Sequence, residues 1–194
     1  MKKYIVSVFI LFFFSCISSS GAQELRHGAF IAPVVKNTSL AGKYALVAVA
    51  RGGWIINETF ALGGGFFALT NDVKNDPASP NNSLGKYTMD FNCGGLELEF
   101  IYPSDRFFHA SLVMFLGGGG LKLTPEDTKI ISPYGLSLLC WEPQLNLEFN
   151  LMDWLHLDTG LSYRFISGFD EYNGLRPKDL SGFSGIIELK FGRY

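Results

Sequence analysis

Little in this chain would hold a metal or a redox centre. Three cysteines and three histidines occur in 194 residues, and neither a C-x-x-C nor an H-E-x-x-H pattern is present, so the usual structural zinc spacings are excluded. Charged residues make up only 18% of the chain and no basic run occurs, which argues against a nucleic-acid partner. Beyond the N-terminus no stretch reaches 18 consecutive apolar residues, so no transmembrane helix is expected there. Two glycine runs, Gly63–Gly65 and Gly117–Gly120, lack the helical pattern that should follow a phosphate-cradling loop. They fit a bend or a close backbone approach within a strand.

What is present begins with a signal segment. Lys2 and Lys3 precede an apolar stretch, Tyr4 to Phe14, that is too short to span a bilayer as a helix. Ser20-Gly21-Ala22 then offers small residues for cleavage, giving a signal peptide at 1–22 and one domain at 23–194. Cleavage before Cys16 with lipid attachment is the rival, although Phe13 and Phe14 are bulky for it. Of the 16 basic residues Lys2 and Lys3 fall in this segment, leaving 14 against 18 acidic ones.

The remainder has a rhythm. Eight strands are expected at about 27–37, 42–53, 58–70, 86–101, 108–123, 134–151, 155–167 and 181–193. Alternation is clearest in the later ones. Leu145, Leu147, Phe149 and Leu151 share one face, opposed by Gln144, Asn146, Glu148 and Asn150. Leu155, Leu157, Leu161, Tyr163 and Phe165 oppose His156, Asp158, Ser162 and Arg164. Strands 1, 2 and 5 alternate poorly. Connections alternate too: those near 55–58, 102–106 and 152–154 are short, whereas 71–85, 124–133 and 168–180 are longer and rich in Gly, Pro, Asn and Asp. Residues 37–42 make the weakest of the expected outer loops.

This is the pattern of an all-β, eight-stranded antiparallel up-and-down transmembrane barrel with short periplasmic turns and longer outer loops. Trp54, Tyr102, Phe107, Phe108 and Trp154 cluster at the short-turn end, where an interfacial girdle belongs. A soluble sandwich or barrel holding an apolar ligand would alternate equally well, with its Leu and Phe stripes inside.

Phe30-Ile31-Ala32-Pro33-Val34-Val35-Lys36, Arg51-Gly52-Gly53-Trp54-Ile55-Ile56-Asn57 and Leu62-Gly63-Gly64-Gly65 resemble a family of small outer-membrane β-barrel proteins of Bacteroidetes-type bacteria. Glu142-Pro143, Leu161-Ser162-Tyr163-Arg164 and the terminal Leu189-Lys190-Phe191-Gly192-Arg193-Tyr194 fit the same picture, and the resemblance covers nearly all of 27–194. It implies a barrel in the outer membrane, with membrane lipid and the barrel-assembly machinery as partners, the latter through the strand ending at Tyr194. It carries no catalytic residues. In the last strand Gly192, Lys190 and Glu188 take the alternate positions where apolar residues are usual, and a bulge near Gly192 would restore the phase.

Eight strands leave a bore that side chains fill. Glu142, Glu148, Asp158, Arg164, Glu188 and Lys190 are therefore expected to form a lumen charge network that plugs it, since buried charges need partners. Cys93 and Cys140 fall on nonadjacent strands and are expected to stay unbridged. No cofactor, no metal and a monomer are expected. A lipid-acting barrel enzyme would need Ser and His within hydrogen-bond reach, and His156, Asp158 and Ser162 share a face at spacings too long for that.

Overall fold

The computed structural model describes residues 26–75, 86–102, 107–125 and 135–193. The signal segment with Cys16, the terminal Tyr194, and expected connections at 76–85, 103–106 and 126–134 lie outside them. Eight long strands make the wall: β1 (His27–Leu40), β2 (Lys43–Ile56), β3 (Phe60–Leu69), β5 (Tyr87–Tyr102), β6 (Phe108–Pro125), β7 (Leu136–Met152), β8 (Leu155–Ser167) and β9 (Gly182–Arg193). A three-residue strand, β4 (Val73–Asn75), and a one-turn helix, α1 (Pro177–Leu180), are the two elements the periodicity does not announce.

Every pairing is antiparallel. Neighbours pair in chain order from β5 to β9, β3 pairs with both β2 and β5, and β9 returns to β1. The barrel is thus closed, and the seam joins the first strand to the last, with Val34 opposite Glu188 and Thr38 opposite Ser184. Closure pairs the first long strand with the last, so the wall lacks the two free edges of an open sheet.

The turns follow from their residues. Leu40 faces Lys43 across Ala41 and Gly42, whose φ angles of 49° and 72° make a two-residue turn matched to strand twist. That tight turn is why β1 continues three residues beyond 37. Beyond β3, Asn71 acts as a strand substitute: its Oδ1 accepts from the Leu46 amide at 2.7 Å and its Nδ2 donates to the Tyr44 carbonyl at 3.3 Å. These bonds cover the upper edge of β2 where β3 has ended. Glycines mark the sharpest curvature. A Cβ on Gly53 would meet the Gly63 Cα across the barrel's inner face at 2.9 Å, and Gly95 and Gly117 are crowded in the same way. Both glycine runs, expected as a bend or a close backbone approach, hold such close approaches of neighbouring strands.

Side chains obey period two along each strand. Burial along β1 alternates from Ala29 to Leu40, although its sequence mixes apolar and polar residues on both faces. Outside lie Ile31, Leu62, Leu96, Leu98, Leu145, Leu147, Leu161, Ile187 and Leu189, all exposed, Leu96 at 70%. Inside, three layers stack. At the short-turn end Phe30, Ala32, Ile55 and Ala61 form a small apolar floor. Charged and amide side chains fill the middle. Above them a larger apolar cluster includes Val47, Phe67, Phe91, Phe115, Leu121 and Ile166. The long connection at 168–180 closes over this cluster. Asn173 and Gly174 turn it back on itself between Tyr172 and Leu175. Leu175 and Leu180 are buried, and the Ala41 amide donates to the Asp179 carbonyl at 2.6 Å. This segment was expected as an outer loop. It does connect β8 and β9 at that end, and it folds down over the mouth because its two leucines complete the apolar layer.

Candidate functional site

Inward positions of six strands converge on the middle layer. Lys36 comes from β1, Arg51 from β2, Glu97 and Glu99 from β5, Glu142 and Glu148 from β7, Asp158 and Arg164 from β8, and Glu188 and Lys190 from β9; all are buried. Among the described residues, six carboxylate and four lysine or arginine side chains are therefore buried in this interior.

Two cations organise one cluster. Arg51 spreads its guanidinium over three carboxylates: Nε lies 2.8 Å from Glu97, Nη2 2.6 Å from Glu99 and Nη1 3.0 Å from Glu188. The Lys190 ammonium sits among Glu148 at 2.6 Å, Glu99 at 2.9 Å and Asp158 at 3.1 Å. Glu99 bridges the two cations. Register explains the need for them: Glu148, Asp158 and Glu188 lie directly opposite one another on β7, β8 and β9, a like-charge row that is unfavourable without counter-charge. The Phe30 ring lies against both cations, 5.1 Å from Arg51 and 5.4 Å from Lys190, and joins the cluster to the floor. His156 continues the chain, with Nδ1 2.7 Å from Asn150 Oδ1 and 3.5 Å from Glu148, and Asn150 in turn meets His109 at 3.2 Å.

A second group is built on Lys36. Its ammonium lies 2.5 Å from Glu142 and donates to Gln144 at 3.1 Å, while the Ser162 hydroxyl donates to Glu142 at 2.6 Å. Gln144 continues to Asn146 at 3.0 Å. The Ser162 hydroxyl and the Gln144 amide thus add neutral donors beside the cations, although Glu142 Oε2 and Asp158 Oδ1 have no hydrogen-bond partner among the described residues.

Five of the six residues chosen from sequence, Glu142, Glu148, Asp158, Glu188 and Lys190, join these groups. Arg164 is buried with them but is bonded elsewhere. Its Nε donates to the Leu180 carbonyl at 3.0 Å and its Nη2 to the Ser39 carbonyl at 3.3 Å, with the Phe91 ring 5.4 Å away. It pins α1 and the β1–β2 turn to the wall, and no ion pair joins it to the carboxylates that flank it in sequence. Lys36 and Arg51 were missed. Their strands do not alternate visibly, because the inner face there mixes Val34 and Val49 with the cations.

Chemistry has few openings here. Glu99, Glu148 and Asp158 bring ligand atoms within 4.8 Å of one another, the spacing of a cation site, but the Lys190 ammonium fills that space. Ser162 and His156 make their bonds to Glu142 and Asn150 and do not form a nucleophile–base pair. Cys93 and Cys140 are free, buried thiols on β5 and β7, with β6 between them.

The outer surface carries aromatic belts at both ends. At the short-turn end Trp54, Tyr102, Phe107, Phe108 and Trp154 are exposed, joined by Phe60 and Phe100. At the opposite end Trp141 stacks on Phe165 at 4.8 Å, Phe165 meets Tyr163 at 4.5 Å, and Tyr163 meets Phe183 at 4.8 Å; Tyr44 and Phe66 extend this belt. The second belt was not foreseen, because its members are scattered over β2, β3, β7, β8 and β9. The last strand needs no bulge: β9 pairs without a register shift with β8 as far as Phe191 and with β1 through Gly192, so Glu188 and Lys190 point inward and Leu189 and Phe191 outward.

No family model matches this chain, and no curated protein does. Solved structures do match. Neisserial surface protein A superposes with a TM-score of 0.61 at 8% identity, covering 87% of this chain and 99% of that one. The N-terminal β-barrel domain of Pseudomonas aeruginosa OprF gives 0.58 at 9% identity over 87% and 99%. Ail, the attachment invasion locus protein of Yersinia pestis, in complex with the heparin analogue sucrose octasulfate, gives 0.52 at 11% identity over 88% and 99%. At these identities the likeness establishes the fold: this chain is built as the small outer-membrane β-barrels are.

Proposed function

We propose that this protein is an integral outer-membrane β-barrel with a filled lumen, exported by its N-terminal segment and acting structurally or through surface interactions at its long connections. One observation carries the reading. An apolar outer wall lies between two aromatic belts while six carboxylates and four cations are turned inward, the reverse of a water-soluble protein. A soluble barrel holding an apolar ligand would need the Leu and Phe stripes inside, and they are outside. The short turns then face the periplasm and the 168–181 segment the exterior. Lipid contacts the wall, the assembly machinery meets β9, and closure of the eight-strand wall suits a monomer. No enzymatic role is proposed, since Ser162 and His156 are engaged separately.

Cell fractionation and detergent dependence test this directly. The protein should partition with the outer membrane and need detergent to stay monodisperse. A protein that remains soluble and monodisperse without detergent overturns the reading.

A further inference from the structure

The wall does not keep one polarity along its whole height. Midway up β5 the outward residues are Leu96, Leu98 and Phe100 and the inward ones Glu97 and Glu99. In the upper part of the same strand the order reverses: Thr88, Asp90 and Asn92 face outward, and Tyr87, Met89 and Phe91 are buried. Its partner β6 repeats the change. Leu112 and Leu116 are outward lower down; above them Lys122 and Thr124 take the outer face while Leu121 and Leu123 are buried. Asp90 and Lys122 lie directly opposite in register, so both charges sit at one level of the sheet. The outward faces of β1, β3, β7 and β8 change at the same end, at Asn37 above Val35, Thr70 above Ala68, Ser137 beside Leu139 and Ser167 beyond Phe165, while β2 and β9 carry the belt residues Tyr44 and Phe183 there.

We infer that the bilayer ends on this line, and that β4 with the upper parts of β5 and β6 forms a flange standing in water with its own dry inner face. The inference rests on the membrane reading above. A charge facing hydrocarbon is costly, and so is an uncovered Leu–Phe stripe; one boundary position avoids both. Below the line the wall fits a lipid bilayer. Above it the wall is ordinary water-soluble sheet, polar outside and apolar inside, with Val73 of β4 and Leu180 of α1 sharing its core. The flange is a rigid polar surface held beyond the outer aromatic belt.

The test is labelling by a charged, water-soluble maleimide after refolding into phosphatidylcholine vesicles. Wild-type protein, with Cys93 and Cys140 buried, gives the background. Asp90→Cys, Lys122→Cys and Thr88→Cys should label readily, and Leu98→Cys and Leu145→Cys should label about tenfold more slowly or less, because the reagent does not enter hydrocarbon. Three flange positions on two strands guard against one variant failing to fold. Protection at all three flange sites together with the wall sites would place the bilayer higher and overturn the flange while leaving the membrane reading intact. Ready labelling at Leu98→Cys and Leu145→Cys as well would remove both.

Discussion

Replacing Arg51 by Met would leave Glu97, Glu99 and Glu188 facing one another with no guanidinium between them. Such a loss of one partner from a buried set should cost about 3–5 kcal/mol in unfolding from detergent, against about 0.5 kcal/mol or less for the exposed Lys43→Met. Equal midpoints for the two variants would mean the cluster is wetter than its burial implies. Arg164→Met tests a different kind of contact. It strips donors from the Leu180 and Ser39 carbonyls, for an expected loss of about 1–3 kcal/mol, and should speed proteolysis within 168–181. Unchanged cleavage there would show that Leu175 and Leu180 hold the segment without the arginine. At this scale the sequence was legible where a strand's two faces differ sharply, as in β7 and β8. Lys36 and Arg51 stayed hidden because their inner neighbours Val34 and Val49 are apolar, so the inner face reads as neither core nor lumen. Arg164 was placed in the right interior but given the wrong partners, since only the folded position of α1 brings the Leu180 carbonyl to it.

Strands were readable because a wall with two faces of opposite polarity imposes period two over 10 to 18 residues. Elements of three or four residues carry no such signal, which is why β4 and α1 could not be foreseen. The segment 168–180 has the Gly, Pro and Asn content of a solvent loop, and what folds it down is long-range packing of two leucines. Strand-level predictions follow from the faces. Leu147→Arg should cost about 2–4 kcal/mol because its outward position lies in the apolar band, whereas Ser137→Arg, on the same face of the same strand beyond the band, should be nearly neutral. Refolding titrations in lipid vesicles measure both, and a matched loss would mean the band extends to Ser137. Asn71→Ala removes two bonds from the exposed edge of β2 and should cost about 1 kcal/mol, with faster amide exchange at Leu46 as the local signature.

For the whole molecule the question is what seals the bore. The sequence pointed to the charged set, and the fold adds an apolar layer above it, with Phe67 and Phe115 stacked at 4.4 Å. Protein in planar bilayers should give no steady conductance, and neither should Lys36→Met, whose charge lies below that layer. Reproducible single-channel steps from the wild type would contradict a filled lumen. The seam between β1 and β9 bears on how such an interior comes to exist. Arg51 meets Glu188 across 137 residues, Lys36 meets Glu142 across 106, and Lys190 meets Glu99 across 91. Two of these three neutralisations need β9 and cannot be made before it arrives. Until the final strand swings round to meet the first, a half-made wall would present bare charges on one side and greasy residues on the other, at home in neither medium. On the membrane reading proposed above, the charge layout orders events: water stays with the inner face until the last strand docks, and lipid entry is expected to coincide closely with ring closure.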